Sequence, residues 1–368
     1  MRLSDYSVGR DNNFNLIRLL AALSVIFSHS VAVLGLPGER EIVFHHLGLS
    51  AGEIAVDVFF VASGFLVTGS LVNRGSLVAF LWARALRIYP ALWVMLALTV
   101  SGLAPALTTL PLAEYFRAPK TAEYAWKCAT LIGGVRYSLP GVFDALPLKG
   151  EFNGSLWTLP IELRMYLYLA AGWFVLAVAP STRVKALTLI APIAAAAFLA
   201  IILSGRLSSG PFNPADIRVY MFLAGTMLYL WRDKVPLSRV GLYALAAALA
   251  LASFDKSVFF VAYALGLPPL ILHLAYIPGG RVRSFNEWGD FSYGVYIYAF
   301  PIQQTLAQFF PAMSLPAMVA ASSLLTIVVA ALSWHGIEKR ALALKGDCAA
   351  ATSRVLNLGL ARIAAAVR

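Results

Sequence analysis

Leu16-Ile17-Arg18-Leu19-Leu20-Ala21-Ala22-Leu23-Ser24-Val25-Ile26-Phe27-Ser28-His29-Ser30-Val31-Ala32-Val33-Leu34-Gly35-Leu36 decides the fold. Apart from Arg18 and His29 the run is apolar or small, and a span of the hydrocarbon core takes about 20 residues. Arg2 and Arg10 precede it as in a signal peptide. No convincing small-residue cleavage site follows, and the apolar stretch is too long, so it reads as a retained first span. Outward from it, runs of similar character fall at 51–73, 85–105, 160–180, 186–204, 216–231, 238–254, 257–277, 291–311 and 314–334. The 368 residues are 60% hydrophobic and 13% charged, where a soluble domain carries about 25% charged residues. Mean hydropathy is +0.76. These values exclude a water-soluble enzyme, a disordered chain, a coiled coil and a disulfide scaffold. They predict an all-α polytopic membrane bundle of ten transmembrane helices.

The charges orient it. With the N-terminus inside, the inner loops hold Arg2, Arg10, Arg74, Arg183, Lys185, Arg232, Lys234, Arg239, Arg281 and Arg283. Lys339, Arg340, Lys345, Arg354, Arg362 and Arg368 follow in the tail, while the short outer loops hold only Arg40, Arg206, Arg218 and Lys256. That is the positive-inside pattern, and it places both termini in the cytoplasm. A net charge of +11 is thereby explained without nucleic acid, since the basic residues form no face with interleaved aromatics. Residues 1–340 read as the membrane-embedded domain, with a long outer loop at 106–158. Within that loop a short helix from Thr121 to Thr130 is expected, with Tyr124, Trp126 and Leu131 toward the outer leaflet. Residues 341–368 read as a cytoplasmic basic amphipathic tail whose arginines snorkel to anionic lipid, or as a solvated tail. Cys128 and Cys348 fall on opposite sides of the membrane and cannot pair.

Ionisable residues at membrane depth are functional candidates. Arg18 and His29 are eleven residues apart. At about 100° per residue that is about 20° past three turns, so they share a face, with a rise of roughly 16 Å between them. The alternative is an interfacial Arg and a hydrogen-bonded structural His. Asp57 in the second span, with Glu53 a turn outward, comes to the depth of His29 and would raise its basicity and fix its tautomer; it could equally be a structural hydrogen bond. Ser63, between Ala62 and Gly64, reads as close packing. Arg84 and Arg87 share a face at the inner end of the third span and make a fork for phosphate, or simply anchor the helix. Trp157 and Glu162 at the outer end of the fourth span are placed on the acceptor side, with a Glu162–Arg164 pair as the other reading. His45 and His46 lack a nearby third ligand, so no metal site is expected. Asp290, Tyr293, Tyr296 and Tyr298 read as packing and interfacial residues, and His335 and Glu338 close the last span.

Taken together, these segments resemble acyltransferase family three, the bacterial integral-membrane O-acyltransferases acting on glycans. The resemblance rests on Arg18 through His29, Asp57-Val58-Phe59-Phe60-Val61-Ala62-Ser63-Gly64-Phe65 and Arg84-Ala85-Leu86-Arg87-Ile88-Tyr89-Pro90. It also rests on Ser155-Leu156-Trp157-Thr158 with Glu162, and on Ser292-Tyr293-Gly294-Val295-Tyr296-Ile297-Tyr298. Ala299 stands where relatives often have His. The resemblance implies acyl-CoA, acetyl-CoA first, as co-substrate, and no permanently bound cofactor. It implies a sugar hydroxyl of a surface or exported glycan as acceptor. The expected mechanism has Arg18, Arg84 and Arg87 holding the CoA phosphates and His29 acting as general base or brief acyl carrier. Asp57 would orient His29, while Trp157 and Glu162 would present the acceptor. The expected setting is the bacterial inner membrane, with polysaccharide-biosynthesis proteins as possible partners. The rival classes are a transporter using the same buried charges and a polysaccharide-export component. Paired, interrupted spans that would mark a transporter are not evident.

Overall fold

The computed structural model describes residues 1–7, 9, 11–37, 42–176, 182–207 and 213–366. Arg10, Arg40 and Arg368 lie outside the described residues, as do the side chains of Arg206 and Arg362. No β-strand occurs among the described residues, and each of the ten apolar runs folds as a helix. In chain order these are α1 (Phe14–Val33), α2 (Ala51–Arg74), α3 (Leu77–Leu98), the loop helix α4 (Pro119–Thr130), α5 (Leu159–Val175) and α6 (Arg183–Leu207). They continue with α7 (Pro214–Leu230), α8 (Arg239–Ala252), α9 (Lys256–Tyr276), α10 (Ser292–Phe309) and α11 (Leu315–Ser333), and the tail forms α12 (Lys345–Ala366). By length and composition alone, six stretches among the described residues can cross a membrane, those of α1, α2, α3, α6, α9 and α11. α5 and α7 have 17 residues each and α8 has 14. α10 carries two buried glutamines, Gln303 and Gln304. Val240, Tyr243 and Leu251 on α8 and Leu189 and Ile193 on α6 are exposed, making an apolar wall of the kind that needs lipid to cover it.

Local chemistry sets the helix ends. Ser50 and Glu53 form a capping box at the start of α2, with Glu53 N donating to Ser50 Oγ at 3.0 Å and Ser50 N to Glu53 Oε2 at 2.8 Å. That box satisfies two otherwise orphaned backbone donors, so Glu53 is occupied there. Gly75 ends α2 at φ 65°, a left-handed conformation that glycine adopts without penalty. Ser76 then caps α3, which begins at Leu77, eight residues before the expected start at 85. Arg84 and Arg87 are therefore well inside their helix. The apolar run understated its length because Trp82, Arg84 and Arg87 interrupt the hydropathy while the helix continues.

α2 is the central helix. A Cβ on Gly64 would lie 2.0 Å from the Phe222 carbonyl oxygen, and one on Gly225 2.3 Å from that of Val61. Only glycine lets α2 and α7 approach this closely. Thr68 Oγ1 donates to Thr226 Oγ1 at 3.0 Å beside the contact. The long loop does not stay at the end of the bundle. Gln304 Nε2 on α10 donates to the backbone oxygens of Leu148 (3.3 Å) and Glu151 (2.7 Å). Asn153 Nδ2 donates to Ile297 O at 2.9 Å, near the start of α10. The segment from Leu148 to Thr158 thus descends between the helices, and α5 begins part-way down, which explains its shortness. Irregular backbone at this depth is tolerated where protein surrounds it. In α4, Tyr124 is buried and Trp126 exposed, and Leu131 just beyond it is buried. Only Trp126 of the expected outward trio faces out, because α4 packs its other face inward. The tail helix α12 lies against α3, where Trp82 Nε1 donates to Thr352 Oγ1 at 2.9 Å.

Candidate active site

A cavity opens among α1, α2, α3, α5 and α10. Its wall on α2 is the stripe Val56, Phe59, Phe60, Ser63, Leu66 and Val67, at the three- and four-residue spacing of one helical face. Eleven residues of helix span about 16 Å. Arg18, Arg84 and Arg87 all line this cavity.

Two of these arginines are already paired. Arg18 Nη1 bonds to Asp290 Oδ2, and Arg87 Nη2 reaches the same oxygen at 2.6 Å. Arg87 Nη1 lies 3.3 Å from Glu338 Oε2. Ser292 Oγ donates to the other oxygen of Asp290 at 2.5 Å. Arg84 makes no ion pair among the described residues; its guanidinium lies 5.7 Å from the Tyr166 ring centre. Its Nε is buried without a hydrogen-bond partner. Asp290 and Glu338, noticed in sequence without a role here, are the counter-charges.

Glu162 is also in this cavity and not at the outer rim. Tyr166 OH donates to Glu162 Oε1, and Ser63 Oγ donates to the same oxygen at 3.3 Å. Ser63 Oγ and Tyr166 OH are 3.0 Å apart. The descending loop brings Glu162 below the rim, so it faces Arg84 and not a molecule outside. The alternative pairing of Glu162 with Arg164 does not form; Arg164 Nε donates instead to Pro160 O at 3.3 Å.

His29 stands beyond the cavity's far end. A Cβ on Gly52 of α2 would lie 2.9 Å from Ser28 Oγ, which sets His29 beside the first turn of α2. Val56, at the top of the cavity stripe, is then about one turn lower. The imidazole packs edge-on against Phe300, with ring centres 5.1 Å apart. Its Nδ1 is buried and has no hydrogen-bond partner. Gln303 Nε2 donates to Ile26 O at 2.8 Å and to Ser30 Oγ at 2.7 Å, holding the turn that carries it. Arg18 and His29 both face α10 or its lead-in, as their spacing requires.

Asp57 does not meet His29. It lies off the cavity stripe and turns toward α7 and α9. Tyr263 OH donates to Asp57 Oδ2 at 2.6 Å, and Arg218 Nε stands 3.3 Å from Oδ1. Arg218 is 2% exposed, which corrects its assignment to an outer loop. Its guanidinium lies 5.4 Å from the Trp157 ring centre, so Trp157 belongs with this buried pair and not with Glu162. Neither link could be read from spacing, because the partners are far apart in sequence. Tyr166, four residues after Glu162, was the one missed partner with a local signal.

Residues 11–335 match the family description "Acyltransferase domain". The chain belongs to acyltransferase family three. It is similar to the O-acetyl transferase of Shigella phage Sf6, 30% identical over 349 residues, 90% of this chain and 96% of that protein. It is 38% identical to Nodulation protein 10 of Rhizobium leguminosarum bv. viciae over 174 residues, 45% of each chain. It is 27% identical over 318 residues to a Komagataeibacter xylinus protein named as a membrane-bound transacylase, BcsY, covering 82% of this chain and 79% of that one. No solved structure matches it. The protein is a membrane O-acyltransferase.

Proposed function

We propose that this acyltransferase moves an acyl group, acetyl in the first instance, from acyl-CoA to a sugar hydroxyl of a surface or exported glycan. It would do so across the bacterial inner membrane, with both termini in the cytoplasm. The observation that carries the reading is the three-arginine cavity, which rises along α2 toward the level of His29. CoA is a polyanion with a long, thin arm. Its phosphates would engage Arg84 first, the arginine that makes no direct ion pair, and then Arg18 and Arg87 on the faces that Asp290 leaves free. The arm would follow the α2 stripe toward His29. There the imidazole takes the proton of the acceptor hydroxyl, and that oxygen attacks the thioester carbonyl. The C–S bond breaks, and the thiolate recovers the proton from the imidazolium. An unpartnered ring nitrogen suits that task.

The test is His29→Ala in purified full-length protein. Binding of radiolabelled acetyl-CoA should persist while acyl transfer and CoA release fall by about 10²–10⁴-fold, the usual worth of a positioned acid–base group. Near-normal turnover in this variant would return His29 to a packing role. Unmeasurable acetyl-CoA binding by the wild type would remove the donor assignment.

A further inference from the structure

With Glu162 drawn into the cavity, a different carboxylate faces the far side of His29. Glu151 sits on the descending loop, half-buried, and its carboxylate takes no hydrogen bond or ion pair among the described residues. A Cβ on Gly154 would lie 2.8 Å from the Phe300 ring and 3.2 Å from Glu151 Oε2. His29 packs edge-on against the same ring. Gly154 therefore stands between the Glu151 carboxylate and the ring that meets the imidazole.

Their register is built into α10. Phe300, Gln303 and Gln304 occupy one face of that helix by the three- and four-residue rule. Gln303 holds the α1 turn around His29, and Gln304 holds the backbone of Glu151. Tyr137 lies alongside, 40% exposed, with its backbone oxygen accepting from Phe152 N at 2.5 Å. A fixed carboxylate beside an exposed phenol ring is chemistry that recognises a polyol: the carboxylate takes hydroxyl protons, and the Tyr137 ring can cover the apolar face of a pyranose. Burial also raises the Glu151 carboxyl above its ordinary range, as expected of an acid in a partly dry site that lacks a partner.

We infer that Glu151 is an acceptor-binding residue, which holds one hydroxyl of a pyranoside so that a neighbouring hydroxyl faces His29. This rests on the reading of His29 as the transfer centre and adds the acceptor subsite to it. A sugar lost from this site would still leave the arginine cavity intact, so the two can be tested apart.

The probes are methyl gluco-, galacto-, manno- and rhamnopyranosides, with binding to full-length protein in detergent followed by saturation-transfer NMR. Wild type should bind at least one of them, and Glu151→Gln should weaken that binding by about tenfold or more, the effect of losing a charge-assisted hydrogen bond. Glu151→Asp, which keeps the charge but retracts it, should fall between. Glu123→Gln, which removes a loop carboxylate remote from His29, should bind like wild type. Acetyl-CoA affinity on the same samples tests the donor reading separately and should not change in Glu151→Gln. Binding of no glycoside by wild type would overturn the site, and so would equal binding by wild type and Glu151→Gln.

Discussion

Two clusters of buried charge use the same side chains to opposite ends. In one, Asp57 and Arg218 are 1% and 2% exposed, close on each other, and are sealed by Tyr263 and Trp157. In the other, Arg18 and Arg87 share Asp290, Arg87 adds Glu338, and Arg84 faces Glu162 across the cavity without a direct ion pair. The first cluster is balanced and closed. The second sets three arginines against Asp290, Glu338 and, across the cavity, Glu162, leaves Arg84 without a direct ion pair, and opens into the cavity. Both would be flagged by the rule that charge at membrane depth is functional. The difference is whether an anion from outside the protein has anything left to bind.

The comparison is broken most severely at Asp57. Asp57→Ala leaves Arg218 buried and unpaired, which costs about 3–5 kcal/mol. The variant should extract from membranes in low yield and unfold early in detergent. A stable Asp57→Ala protein that lost only turnover would move this cluster into the catalytic machinery. Arg87→Ala is expected to do damage of both kinds. It strips Asp290 of one partner and Glu338 of its ion pair, so stability and acetyl-CoA binding should fall together. Wild-type binding in Arg87→Ala would leave the arginine as a purely structural group.

Arg84→Ala sharpens the contrast by separating the two effects. Acetyl-CoA binding should weaken by about 1.5–3 kcal/mol, the worth of a hydrogen bond to a charged group. The unfolding midpoint should fall less than in Arg87→Ala, because Arg84 makes no direct ion pair and the Glu162 it faces keeps its hydrogen bonds from Tyr166 and Ser63. Arg84→Lys should recover only part of the binding, since an ammonium lacks the planar fork. Equal binding by Arg84→Ala and wild type, measured by equilibrium dialysis, would take the phosphates elsewhere.

Much of this was legible in the sequence, and the reason lies in periodicity. The ten apolar runs foresaw the positions of ten helices, and the eleven-residue step from Arg18 to His29 foresaw that both face one neighbour. The triplet Ala62-Ser63-Gly64 announced close packing, and Gly64 supplies it against α7. What stayed hidden depends on contacts across the chain. Nothing near Glu162 signals that the loop before it is pulled down by Gln304, a residue more than a hundred positions later. Without that descent Glu162 belongs at the rim, which is where its sequence position alone puts it. Arg218 was misplaced for a related reason. It sits one turn into α7, where charge alone suggests a helix end, and only Asp57 and Trp157 reveal that it points inward. Counting loop charges orients a bundle but does not show which charges have left the loop.

The smallest effect should come from a third ion pair, which serves as the exposed reference for the other two. Arg136 Nη2 donates to Glu123 Oε1 at 2.5 Å in the long loop, with side chains 48% and 42% exposed. The hydrogen bond from Arg136 holds the Glu123 carboxyl below its ordinary value. Such a depressed acid contributes its stability above the unfolded carboxyl's pKa, about 4.3 for Glu, and loses it as pH falls through the folded value. Water and salt screen a pair this open. Glu123→Gln should therefore match wild type in acyl transfer and, to within measurement, in unfolding midpoint near neutral pH. Any small difference should be flat from pH 7 to about 5 and vanish below the carboxylate range. Should Glu123→Gln unfold as readily as Asp57→Ala, burial would no longer distinguish the clusters, and geometry alone would have to carry the comparison.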